Sequence, residues 1–244
     1  MNQTTLAKSA EHLRAKLQGS GLYQPISDEE YERLKVEQMT RLAERECQAF
    51  KLDYARMGLE EDEADLSWSA IKTGISDGVK ARDAVKDAYK KGFGMVFLWG
   101  SWGQAKTLTG KILTATALRD GKSAAYANMS MVLDDIRLAF DEREHKTTEL
   151  LRRMDWWIKR DVLFLDELDK ANSTEWAQER IFQLLDQRYT RAIREDALTV
   201  VASNGSDKEL DGYLKSRLND RRLGPVVYLN GPDGRESMPD GYRY

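Results

Sequence analysis

Five short apolar runs mark the second half of the chain, at residues 95–99, 123–127, 162–165, 198–202 and 226–229. They are nearly continuous rather than alternating, the pattern of strands covered on both faces. Helical spacing fills the stretches between them, so the alternation predicts an α/β domain around a parallel sheet. A helix is expected over 76–90, with Val79, Val85 and Tyr89 on one face, and others over 128–140 and 214–223. The N-terminal third reads as helices alone. Residues 4–17 form one, stopped by Gly19-Ser20-Gly21, and Ser27-Asp28-Glu29-Glu30 is a capping box opening a second that runs to Gly58, a natural C′ residue. Its apolar positions are loosely helical among many charges, which suits a solvated hairpin and equally a partner-docking arm. The acidic run 59–65 reads as a hinge or linker, giving three regions: 1–58, 59–92 and 93–244.

Chemistry gathers at the carboxyl ends of the predicted strands. The first runs into Gly100-Ser101-Trp102-Gly103-Gln104-Ala105-Lys106-Thr107, followed by Leu108. This is the phosphate-binding loop G-x-x-x-x-G-K-[ST], except that Ala105 replaces the second glycine. In such a loop the backbone N–H groups and the helix N-terminus face phosphate oxygens. Lys106 would reach the terminal phosphates and Thr107 would ligate Mg²⁺. An ordinary Gly-containing strand-to-helix turn also fits the motif taken alone. Glycine is usual at position 105 because the backbone approaches the β-phosphate and because left-handed conformations cost a side chain about 1 kcal/mol. Ala105 is therefore expected to weaken nucleotide binding, and Ala105→Gly to tighten it by up to about tenfold.

The third strand ends in Asp166-Glu167. Asp166 would hold Mg²⁺ and Glu167 would act as general base on the attacking water. A solvated strand end is the bland reading of the same pair. The strand at 198–202 ends in Ser203-Asn204-Gly205, where Asn204 would orient the water or touch the γ-phosphate, or start a turn. The arginine-dense stretch Leu214-Lys215-Ser216-Arg217-Leu218-Asn219-Asp220-Arg221-Arg222-Leu223 is either a solvated face or a source of a cation for a neighbour's nucleotide.

Composition narrows the classes. The chain has 244 residues, 41% hydrophobic and 32% charged, with a formal net charge of −3, which fits a globular domain and disfavours a surface built wholly for nucleic acid. No apolar stretch approaches the ~20 residues of a membrane span and the first residues lack a signal-peptide core, so a cytoplasmic protein is expected. Cys47 is the only cysteine and His12 and His145 the only histidines, which excludes a Cys/His zinc module.

The order of phosphate loop, Asp-Glu strand, Ser-Asn strand, Ser-Arg-Leu-x-Asp-Arg stretch and a last strand running into Asn230-Gly231-Pro232-Asp233-Gly234-Arg235 resembles the DnaC/IstB family of AAA+ ATPases. The resemblance covers about residues 54 to 235. It implies a five-stranded parallel sheet in the order 5-1-4-3-2 with little or no C-terminal lid. It also implies ATP and Mg²⁺ as ligands, hydrolysis by Glu167, and Asn204 at the sensor position. Arg217 or Arg221 falls on the arginine finger and Arg235 on the second sensor, acting from a short tail. Trp68 and Ile71 fall on the apolar segment that lines the adenine pocket, a place where plain packing serves equally well. The helix after the second strand would face an oligomer's channel, making Arg137, Arg143 and Lys146 candidates for single-stranded DNA, although a solvated helix face fits them as well. Family members are replicative helicase loaders of bacteria and phages, or ATPase subunits of transposons. The resemblance thus implies a loader that docks a DnaB-like hexameric helicase through its N-terminal region and self-associates, or a transposition ATPase that organises target DNA. A P-loop small-molecule kinase is the reading from another class, and the Asp166-Glu167 and Asn204 constellation argues against it.

Overall fold

The computed structural model describes residues 33, 36, 37, 57–72, 76–140, 146–171, 174–204 and 212–235. Two compact units divide the chain, Met1–Phe50 and Lys51–Tyr244. In the first, Arg33, Val36 and Glu37 are helical, while the helix expected over 4–17 and most of that over 27–58 lie outside the described residues.

The second unit is built from α1 (Gly78–Lys91), β1 (Gly94–Gly100), α2 (Lys106–Arg119), β2 (Ala124–Asn128), α3 (Met129–Arg137), α4 (Lys146–Ile158), β3 (Val162–Asp166), α5 (Glu175–Ile193), β4 (Leu198–Ser203), α6 (Gly212–Leu218) and β5 (Val226–Leu229). The strands lie in the order β2-β3-β4-β1-β5, the 5-1-4-3-2 order read from the other edge. All neighbours are parallel. Alternation along β1 shows why its run is continuous. Met95, Phe97 and Trp99 enter one apolar cluster with residues of α3, α4, α5 and α6, whereas Val96 and Leu98 enter another with residues of α1 and α2. Both faces are dry, so both sets must be apolar.

The sheet's β2 edge is met by the chain entering from the N-terminal side. Tyr126 donates its N–H to the Met57 carbonyl at 2.9 Å. Gly58 (φ +82°) lies so close to β2 that a Cβ on it would fall 1.9 Å from the Tyr126 oxygen. The acidic run after it does not hang as a hinge. Leu59 is buried beside Ala115, Lys111 of α2 pairs with Glu63, and Arg119 donates to the carbonyls of Ala64 and Leu66. Two cations on one face of α2 thus hold the run against the sheet domain, and the boundary between the units falls earlier, at Phe50/Lys51.

Two helices are shorter than periodicity suggests. The one expected over 128–140 stops at Arg137 and tightens into a 3₁₀ turn, Leu138–Phe140. The one expected over 214–223 is α6, which ends at Leu218. Asp220 explains the second: its carboxylate accepts the Arg222 N–H at 3.1 Å, the Arg222 guanidinium at 2.6 Å and the Tyr189 hydroxyl at 2.8 Å. Such side-chain bonds to nearby backbone favour a turn over further helix.

Candidate nucleotide site

The loop between β1 and α2 carries the phosphate motif at the carboxyl edge of the sheet, where open α/β folds bind ligands. Gly103 (φ +72°) and Ala105 (φ +54°) are both left-handed. Ala105 is the N-cap of α2, so Lys106 opens the helix. The Lys106 ammonium is buried and donates to the carbonyls of Gly100 at 2.6 Å and Ser101 at 2.7 Å. Burial pushes its pKa down, Asp166 and Asp169 oppose that, and Arg235 adds to it. A lysine folded over its own loop in this way needs only rotation of its side chain to exchange carbonyls for phosphate oxygens.

Asp166 ends β3 with its side chain buried. Its Oδ2 accepts the Thr107 hydroxyl at 2.7 Å and the Tyr126 hydroxyl at 3.1 Å, and its Oδ1 accepts the Glu167 N–H at 2.9 Å. Burial, and then the Asp166 charge, drive the Tyr126 phenol far above its ordinary pKa, so it stays a donor. Thr107 and Asp166 form a pair of hard oxygen donors. This fits Mg²⁺, which takes one or two protein oxygens and completes its octahedron with phosphates and water. Among the described residues there is no cluster of three His, Cys, Asp or Glu that would hold a metal without such help.

Glu167 follows in a left-handed conformation (φ +54°), and its carboxylate pairs with Lys170. Asp169 reaches across to β4, accepting the Ser203 hydroxyl at 3.0 Å and the Asn204 N–H at 2.9 Å. It thereby fixes the strand end that carries Asn204. A cavity of about 260 Å³ is lined by loop residues 102–107, Leu108, Lys111, Asp166, Glu167, Asn204 and Arg235, with Glu63 and Leu66 at its side. The structure therefore brings together Lys106, Thr107, Asp166, Glu167, Asn204 and Arg235, residues separated by up to 129 positions in the chain. Trp68 and Ile71 are not among the lining residues. They pack with Leu108 and Ile112 beneath, and Leu66 supplies the apolar wall.

The remaining candidates lie elsewhere. Arg217 pairs with Asp186 and stacks on the rings of Tyr213 at 4.2 Å and Tyr189 at 4.5 Å. Arg221 is exposed, in the turn after α6, at the rim of a groove it shares with Lys91, Arg222 and Tyr228. Arg137 is exposed on α3, 3.4 Å from Asp134 and stacked over Trp176 at 5.0 Å. Arg143 and the Lys146 side chain lie outside the described residues. Sequence reasoning missed Tyr126, Asp169 and Lys170. Asp169 and Lys170 stood three and four places beyond Asp166, but nothing local marks which of several acids crosses to another strand. Tyr126 carried no signal beyond its place near the end of β2.

Comparison with known proteins bears on the fold and the family. Domain III of the Thermotoga maritima replication initiation protein DnaA superposes with a TM-score of 0.58 at 18% identity, over 73% of this chain and 72% of that one. AMPPCP-bound DnaA from Aquifex aeolicus gives 0.55 at 20% identity over 67% of this chain. The match covers 49% of that structure, so the chain spans about half its length. DnaI gives 0.52 at 16% identity, over 72% of this chain and 94% of that one. At such identities the likeness establishes the α/β fold alone. No curated protein matches the sequence. The family model described as IstB-like ATP binding protein matches residues 32–217, well over half of the sequence, and the chain belongs to that family.

Proposed function

We propose that this protein is an ATPase of the AAA+ type that loads a DnaB-like hexameric replicative helicase onto single-stranded DNA in a bacterial cytoplasm. The convergence of Lys106, the Thr107–Asp166 pair, Glu167, Asn204 and Arg235 on one cavity carries the ATPase part of this reading. Lys106 and the loop amides bind the β- and γ-phosphates. Thr107 and Asp166 would hold Mg²⁺, which would supply positive charge against the phosphates. Tyr126 keeps the Asp166 carboxylate aimed at Thr107. Glu167 takes the proton from the attacking water through the carboxylate oxygen that Lys170 leaves free, and Asn204, braced by Asp169, orients that water. Arg235 offers charge to the terminal phosphate from the same subunit.

A second cation comes from a neighbouring subunit in this scheme, and the side-chain environments favour Arg221 over Arg217 for it. Arg217 is tied to Asp186 and two tyrosines, whereas Arg221 is exposed and no partner for it is found among the described residues. The loader part of the reading draws on the motif order of the DnaC/IstB family and on the fold likeness to DnaI. A replication initiator DnaA of similar fold, TM-score 0.53 at 23% identity, is bound to AMPPCP and single-stranded DNA, which supports DNA contact by the assembled oligomer. The N-terminal region, read from the sequence as residues 1–58, is the helicase-docking region in this proposal. The matched family, described as IstB-like ATP binding protein, is also compatible with the other reading of the resemblance, a transposition ATPase acting on double-stranded target DNA.

The site is tested by Glu167→Gln, expected to retain ATP while losing about 10²–10⁴-fold in turnover, and by Lys106→Ala, expected to lose both. Near-native hydrolysis in both variants would refute the assignment. Capture of a replicative helicase by the purified protein supports the loader; failure of that capture together with tight binding to double-stranded DNA supports the transposition ATPase.

A further inference from the structure

The segment after β5, Asn230 to Arg235, runs back along the phosphate loop and is fastened to it by one buried side chain. Gln104 is 1% exposed. Its Nε2 donates to the carbonyl oxygens of Gly231 at 2.8 Å and Pro232 at 2.9 Å, and its Oε1 accepts the Asp77 N–H at 2.9 Å. Two carbonyls on one side and an N–H on the other admit only this orientation of the amide. Asp77 extends the link, since its Oδ2 accepts the Asn230 N–H at 3.0 Å. Further along, Gly234 donates its N–H to the Gly103 carbonyl at 3.2 Å, and Asp233 Oδ1 accepts the Arg235 N–H at 2.9 Å. Asp233 sits so close to Gly103 that a Cβ there would fall 1.7 Å from that oxygen. Every residue from Asn230 to Gly234 is thus bonded or packed against Asp77 or loop residues 103–104, and the next side chain along is Arg235 in the cavity wall.

We propose that Gln104 is a positioning residue, holding this strap on the phosphate loop so that Arg235 faces the terminal phosphate and favours a nucleoside triphosphate over a diphosphate. The inference rests on the ATPase reading above. Position 104 is one of the unspecified places in the phosphate motif, where the backbone does the binding. Here the side chain of that place links the loop to the segment that follows β5. Loop and strap consequently move together, and Arg235 gets its fixed direction from Gln104.

Three variants separate positioning from bulk. Gln104→Glu has the same shape and still accepts from Asp77, but cannot donate to Gly231 and Pro232. Gln104→Leu removes every one of these bonds, together with the longer one from Nε2 to the Trp102 carbonyl at 3.4 Å, and Arg235→Ala removes the cation alone. Affinity for AMPPCP and for ADP is measured by calorimetry on the full chain, and hydrogen exchange is followed across 230–235, with β4 as the control for the fold. Both Gln104 variants should lose about tenfold in AMPPCP affinity with ADP changed less than about twofold, and Gln104→Leu combined with Arg235→Ala should be no worse than Arg235→Ala. The strap should exchange faster in both while β4 stays protected. Equal losses for the two nucleotides, additive losses in the double variant, or an unchanged strap would each overturn the proposal. If the wild-type protein binds neither nucleotide, the ATPase reading and the role given to Arg235 both fail. Exchange in the Gln104 variants then still decides whether this side chain holds the strap.

Discussion

Gly78→Ala, alone and combined with Ala105→Gly, probes how the phosphate loop accommodates alanine at its glycine position. A Cβ built on Gly78, the first residue of α1, lies 2.9 Å from the Ala105 Cβ, 3.2 Å from Ser76 Oγ and 3.4 Å from the Gln104 carbonyl oxygen. Carbon atoms in ordinary contact stand about 3.5–4.0 Å apart, so the two methyls overlap by over half an ångström. Overpacking of this kind costs about 1–3 kcal/mol, against which alanine in a helix regains about 1 kcal/mol over glycine. Gly78→Ala should therefore destabilise the protein by about 0–2 kcal/mol. Ala105→Gly relieves the left-handed strain, about 1 kcal/mol, but loses about 0.8 kcal/mol of methyl burial and adds glycine's chain entropy, leaving it close to neutral. With the obstructing methyl gone, Gly78→Ala should become stabilising by about 1 kcal/mol, a coupling of about 1–3 kcal/mol between the two sites. Thermal unfolding of the four proteins reads this directly, at about 2–4 °C per kcal/mol for a domain of this size. Additivity within about 0.5 kcal/mol would refute the reasoning. The geometry also revises the expected effect on binding. The Ala105 methyl lies against Gly78 and the cluster of Ile71, Leu108 and Ile112. Ala105→Gly should then change ATP affinity by less than about threefold, in place of the tenfold gain expected if the methyl met the phosphates.

Truncation tests where the sheet domain begins. Removal of residues 1–50 should leave a cooperatively folding core, whereas removal of 1–58 strips Met57 from the edge of β2 and should cost about 1–3 kcal/mol by urea denaturation; equal midpoints would show that the edge contact is idle. Among the arginines, an Arg221→Ala protein mixed with a Lys106→Ala protein should recover part of the ATPase rate. Arg217→Ala should instead lower the melting temperature, and a mixture that recovers nothing at any ratio excludes action in trans by Arg221. Tyr126→Phe removes one of the two hydroxyls on Asp166 Oδ2 and should raise the Mg²⁺ concentration for half-maximal turnover by about tenfold with little change in the metal-saturated rate; an unchanged Mg²⁺ dependence would assign Tyr126 to packing against Phe164.

Residue order alone determined the five strands and the helices between them, because a parallel strand covered on both faces must be apolar at every position and a covering helix must be apolar at every third or fourth. The loop at 100–107 and the Asp166-Glu167 pair stood out as candidates for a related reason: each is a contiguous motif that can be read without knowing the fold, and both line one cavity. Strand order came from family resemblance, since periodicity records which face is buried and not which neighbour buries it. Tertiary structure decided what depends on meetings between distant segments. Glu63 and Lys111 hold down a run that looked like a linker, Asp220 and Tyr189 end α6 before Arg221, Tyr126 reaches Asp166, and Gln104 finds its carbonyl partners 127 and 128 residues further on. A local pattern sets a residue's exposure, but a polar side chain's partner is set by the fold that brings another segment within about 3 Å of it.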